Sequence, residues 1–231
     1  MKRFWKVAEP VESNDGWTIE LDGRPVHTPA RALLQLPTKA LADAIAAEWS
    51  GAADTIDPRA MPLTGLANAA VDRIQPDPES FARDLGRYAQ GDLACYRAEG
   101  PRELVSLQAE SWDALLAWGR RRFDVDFQTT SGVMHVDQPI ATVERLSHAV
   151  ASVAPFQLAG LSPLVTIGGS LLAALAVLEK AMTPEAAWGC VTVDGRWQLS
   201  QWGADSEARQ RLDNNRRDFL AAARFLELLD A

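Results

Sequence analysis

Residue patterning predicts an α+β protein in which a small antiparallel, β-rich N-terminal domain (residues 1–62) precedes a larger all-helical C-terminal domain (63–231). Three observations predict it. A period-two apolar run surrounds an Asp-Gly pair near the start, a proline-bearing joint follows near residue 62, and helical periodicity dominates beyond that joint.

In "GWTIELDGRPVHTP", Trp17, Ile19 and Leu21 alternate, and Asp22-Gly23 is the two-residue signal of a tight hairpin. A second strand through Val26 and Thr28 follows, and "ALLQLP" reads as a third, closed by Pro37. Thr38 then caps a helix with Leu41, Ile45 and Trp49 on one face and Gly51 at its stop. "DTIDPRAMPLTG" carries two prolines and no sustained period, which makes it the joint. Beyond it, helices are expected over 63–74, 78–90, 101–122, 140–153, 163–180, 183–202 and 205–229. "DLACYRAE" and "DVDFQTT" interrupt the series as short strands or extended connections, and no repeat of 20 to 50 residues is visible.

Composition narrows the classes of function. A 231-residue chain with 47% hydrophobic residues has material for a real core. Its 23 basic and 31 acidic residues leave a formal charge of −8, and the longest basic cluster, Arg120 to Arg122, closes a helical pattern where cations favour the dipole. Nucleic-acid binding, which rests on neutralising phosphates, is therefore not expected. Two cysteines far apart, Cys95 and Cys190, outline neither a disulfide framework nor a metal knuckle and fit a reducing compartment. "MKRFWKVAEP" lacks an apolar export core, and Glu9 and Glu12 sit where a transit peptide avoids acids. Residues 149–178 carry no Asp, Glu, Lys or Arg. That is long enough to raise a membrane span of about 20 residues. Prolines and glycines interrupt it, and Ser162-Pro163 reads as the start of a buried helix, so no stable membrane insertion is expected.

The usual constellations of catalysis are missing. His27, His135 and His148 have no partner at a metal-ligand spacing, and Ser170 in "TIGGSLL" lacks the glycine two residues on that a nucleophile elbow needs. Gly168, Gly169 and Ser170 read as small residues that let helices approach. Neither glycine-rich phosphate loop occurs. The expected class is a binding protein without a cofactor, not an enzyme; the competing class is an enzyme built around His27 or His135. Eight tryptophans are assigned mostly to the core, with one or two left for an exposed surface.

The stretch "WQLSQWGADSEARQRL" sets two tryptophans ahead of two carboxylates. Asp205 is placed to cap the last helix, and Glu207 falls in its first turn, where the dipole favours an anion by about 0.3–1 kcal/mol.

The order and spacing of "RFWKVAEP", "LDGRPVHTPAR", "LADAIAAEW", "AMPLTGLANAAVDR", "DLACYRAEGPRELVSLQAESWDALLAW" and "WQLSQWGADSEA" carry a resemblance across nearly the whole chain. It resembles the F1 ATP synthase assembly chaperones, the family that holds the free α subunit before it meets β. The resemblance implies a β-rich domain followed by a helical one, no cofactor, no hydrolysis, and binding of the α subunit against aggregation. In this family the glutamate of a Trp-Gly-x-Asp-x-Glu pattern is important for function, and here Trp202, Gly203, Asp205 and Glu207 match it. The implied roles are Trp202 fixing a turn, Asp205 capping, and Glu207 facing a basic group of the client. Relatives usually carry Asp-Glu ahead of Trp-Gln, whereas this chain has Gly195 and Arg196, which loosens the helix and puts that glutamate's contact in question. A monomer in the bacterial cytoplasm is expected, or in the mitochondrial matrix if the chain is from an organelle.

Overall fold

The structure is a computed structural model that describes residues 2–132, 134–203 and 206–231, with the backbone alone at Trp202. The chain opens on three antiparallel strands, β1 (Ala8–Ser13), β2 (Gly16–Leu21) and β3 (Arg24–Pro25), in the order β1-β2-β3. Asp22 and Gly23 form the β2–β3 turn at φ of 49° and 77°. Two successive positive φ angles match the right-handed twist of the strands, and Asp-Gly adopts them at little cost. The Asp22 carboxylate also accepts from the N–H of Val7 at 2.9 Å and of Lys6 at 3.1 Å, which holds its carboxyl below the usual range.

β1 is not anticipated by the patterning, because Pro10 and two glutamates obscure its alternation. It is an edge strand in which Pro10 pairs with Ile19, and at an edge the missing N–H costs no ladder bond. The run 32–37, expected as a strand, makes only isolated bridges, Leu33 with His27 and Leu36 with Trp17. A turn with Arg31 at φ 69° sets it off from β3, yet Leu34 and Leu36 are fully buried.

Helix α1 (Lys39–Ser50) follows, with the Thr38 hydroxyl accepting from Leu41 N–H at 3.2 Å and Gly51 at its end. Helix α2 (Pro62–Ala69) runs into a π turn at Ala70–Ile74. Its free N-terminal N–H groups are met from α1: the Glu48 carboxylate accepts from Leu63 and Thr64, each at 2.8 Å. Next come α3 (Pro78–Gly86), β4 (Tyr96–Arg97), the long α4 (Arg102–Phe123) and β5 (Thr130–Ser131). β4 and β5 pair in parallel, so the two interruptions in the helical series form a second, minimal sheet.

The remainder is α5 (Ile140–Ala151), α6 (Pro155–Gly168), α7 (Leu171–Leu178), α8 (Pro184–Val191), α9 (Val193–Trp202) and α10 (Ser206–Leu229). Two expected helices are each divided. The run 163–180 breaks where Gly169 takes φ 68° and Ser170 caps α7, and Pro163 lies inside α6 instead of starting a helix. The run 183–202 breaks at Thr192, at φ −110° and ψ 12°. The uncharged residues 149–178 are thereby divided among α5, α6 and α7. Among the described residues, no helix is long and apolar enough to cross a membrane.

The chain forms two compact units, one of Met1–Pro78, Ala154–Gly160 and Ala221–Ala231, the other of Glu79–Val153 and Leu161–Leu220. In the first, α1 packs on β1 and β2 over a core that includes Ile19, Leu41 and Ile45. Trp5 meets Trp49 edge-on at 5.1 Å, and Phe156 stacks on Phe225 at 6.3 Å. Gly160 admits this packing, since a Cβ there would stand 2.7 Å from the Leu226 side chain. In the second unit, α4 buries Trp112, Leu115 and Leu116, and the Trp112 indole donates to the Cys190 carbonyl at 2.9 Å. Residues 171–177 of α7 are all buried.

Candidate functional site

The residues that the sequence marks for a partner run from the end of α9 to the first turn of α10. Gly203 has φ 74° and ψ 165°, a backbone conformation open to glycine, and it ends α9 as expected. The Trp202 side chain and Asp205 lie outside the described residues, so the packing and capping expected of them have no geometry here. Glu207 falls in the first turn of α10, and its side chain is 85% exposed. Its partner is Arg211 of the same helix, at 3.4 Å and one turn on. An exposed pair of this kind contributes a few tenths of a kcal/mol, roughly, and leaves the carboxylate open to a stronger partner.

What positions α9 is a buried polar tie within the second unit. Gln108 of α4, 2% exposed, donates to the Asp194 carboxylate at 2.7 Å and accepts from the Ala98 N–H at 2.7 Å. Breaking such a tie strands a buried amide, so α9 is held in one register against α4. Trp197, one turn on from Asp194, is half-buried. None of the seven tryptophans whose side chains are described is exposed, and the eighth, Trp202, lies outside them. Among the described residues, the large apolar side chains exposed in this unit are Val105, Leu107, Met134 and Ile140.

Each histidine has its own surroundings. His27 is exposed, its Nδ1 3.1 Å from the Pro25 carbonyl. His135 bridges the Tyr96 hydroxyl and the Asp137 carboxylate, each at 3.1 Å, with 62% of its side chain in solvent. His148 lines a cleft of about 610 Å³ with Arg122, Arg145 and Glu179. Among the described residues, no group of three or more His, Cys, Asp or Glu is placed to hold a metal ion.

Ser170 has a structural part. Its hydroxyl accepts from Ala173 N–H at 3.0 Å as the cap of α7 and donates to the buried Asp92 carboxylate at 2.8 Å. Burial pushes both thiols, Cys95 and Cys190, up to about 12, so neither is a thiolate at neutral pH.

With this geometry in view, the comparisons with known proteins are concordant. Residues 2–120 match the family described as ATP12 chaperone protein. The mitochondrial protein atp12 of Schizosaccharomyces pombe is 25% identical over 97% of this chain and 81% of its own. The crystal structure of Atp12 from Paracoccus denitrificans is 38% identical, with a TM-score of 0.93 over 99% of this chain and 98% of that one. A crystal structure from Agrobacterium tumefaciens is 36% identical, with a TM-score of 0.93 over 99% of this chain and 86% of that one.

Proposed function

The chain belongs to the ATP12 chaperone family, whose members assist the assembly of ATP synthase, and from that premise we propose that its client is the unassembled α subunit of F1. It covers that subunit until β arrives and hydrolyses no ATP of its own. An unpaired subunit presents a surface meant for its neighbour, and large exposed apolar patches aggregate. A protein that covers such a patch reversibly is displaced by the tighter authentic partner through mass action, with no need of an energy source.

The observation that carries the reading is Glu207, a carboxylate 85% exposed at the start of α10, with only a weak pair on its own helix. A single exposed charge contributes about 0–1 kcal/mol. Apolar contact therefore provides most of the affinity, and Glu207 sets register and discrimination against a basic group on the client. The reading places the protein in the bacterial cytoplasm, or in the mitochondrial matrix, as a monomer that pairs one to one.

Replacing Glu207 with Lys tests it. Calorimetric titration against isolated α subunit is expected to show binding weakened about tenfold, through like-charge repulsion at the contact. The melting temperature is expected to fall by less than about 4 °C, since only a favourable dipole contact and one exposed pair are lost. Unchanged affinity contradicts the assignment, and a collapse in stability makes the role of Glu207 internal.

A further inference from the structure

A solvent-open groove of about 720 Å³ runs between α4, α8 and α9 of the second unit. Each wall is a single helical stripe: Leu107, Ser111 and Ala114 on α4, and Val193, Trp197 and Ser200 on α9, both at i, i+4 and i+7. Between them, α8 contributes Ala186 and Gly189, small residues that leave the space open. Leu107 is 43% exposed, so apolar surface reaches the mouth.

Two properties of the groove specify what fits it. First, all three walls are helices, so no strand edge is presented to a visitor. An extended segment entering would bury unpaired peptide groups, whereas a helix arrives with its own already paired. Second, the groove is lined by one anion and one cation, Glu110 on α4 and Arg196 on α9. Neither side chain has a hydrogen-bond or ion-pair partner among the described residues. A visitor with an acid toward Arg196 and a base toward Glu110 satisfies both.

We propose that this groove seats an amphipathic helix of the unassembled α subunit, its apolar stripe against Leu107, Ala186 and Trp197 and its flanking acid and base on Arg196 and Glu110. The proposal rests on the client assigned above and extends the contact beyond Glu207. The two are close along the chain: Trp197 stands about 7.5 Å of helix rise from the end of α9, five residues before Glu207.

The test uses the full chain and isolated α subunit. Ala186 is exposed, so Ala186→Trp fills the groove without entering the core and is expected to weaken α binding roughly tenfold or more. Arg196→Glu changes charge at an exposed position, guards against a packing artefact in the first variant, and is expected to weaken binding roughly threefold or more. A third variant, Ala186→Cys, carries a benzophenone attached through a maleimide; Cys95 and Cys190 are buried with thiols pushed up to about 12, so the label goes to the new site. Crosslinked α residues are expected in one segment at i, i+3 or i+4, and i+7. Wild-type binding that neither substitution weakens, or crosslinks spaced i, i+2 along an extended segment, overturns the groove assignment and leaves the chaperone reading standing. Failure of the wild type to bind α overturns both.

Discussion

Asp92 shows how much one side chain ties together. It is 1% exposed, and its carboxylate accepts from the Ala94 N–H at 3.0 Å, the Leu172 N–H at 2.9 Å and the Ser170 hydroxyl at 2.8 Å. One acid thus caps a short turn after residue 92 and the start of α7. Burial lifts its carboxyl above the ordinary 3.8, against the pull of these donors. The folded state therefore takes up this proton more readily than the unfolded chain; the contribution to stability is full below pH 3.8 and declines as pH rises through the raised value. Asp92→Ala leaves three donors without an acceptor in the interior, and denaturant titration is expected to show a loss of about 3 kcal/mol or more. A loss under about 1 kcal/mol contradicts this account. The role of Asp92 in capping α7 is invisible in the sequence because the two partners there, Ser170 and Leu172, are 78 and 80 residues away. Ser170 is misleading for the same reason: its glycine-rich surroundings draw attention, but its work is done with a distant acid. Gly203 and Glu207 are different, since a turn glycine and a first-turn acid are local features.

Helix and strand elements were readable where local chemistry decides them. The Asp22-Gly23 hairpin, the Thr38 cap and the spacing of Leu41 and Ile45 need only neighbours within a few residues. The breaks at Gly169 and Thr192 were not readable, because apolar periodicity continues across both and the kinks follow from packing. Thr192 is bound back to α8, its hydroxyl donating to the Trp188 carbonyl at 2.6 Å, while α9 turns to place Asp194 on Gln108. β1 escaped notice because an edge strand tolerates the proline and glutamates that disguise it. Within α9, Gly195 is exposed, and a Cβ there would meet nothing within 4 Å. Gly195→Ala is expected to stabilise the protein by about 0.5–1 kcal/mol through reduced freedom of the unfolded chain. A destabilised variant, measured by thermal melting, shows that α9 needs the glycine for something other than its helix.

For the molecule as a whole, charge and composition limited the functions in view, while the family pattern pointed to a chaperone. The groove between α4, α8 and α9 could not have been found this way. Its walls come from residues 107–114 and 182–200, and only the folded chain brings those stripes together. Glu207 stands out in the sequence because it is embedded in a short pattern. A chaperone works through exposed surface, which has no short local signature in a sequence.

The most direct measurement is size-exclusion chromatography with light scattering on the purified chain, alone, with isolated α subunit, and then with β added. The account predicts a monomer, a one-to-one complex with α, and release of the chain as β takes its place. Absence of a complex with folded, monomeric α, or a complex that β leaves intact, contradicts it.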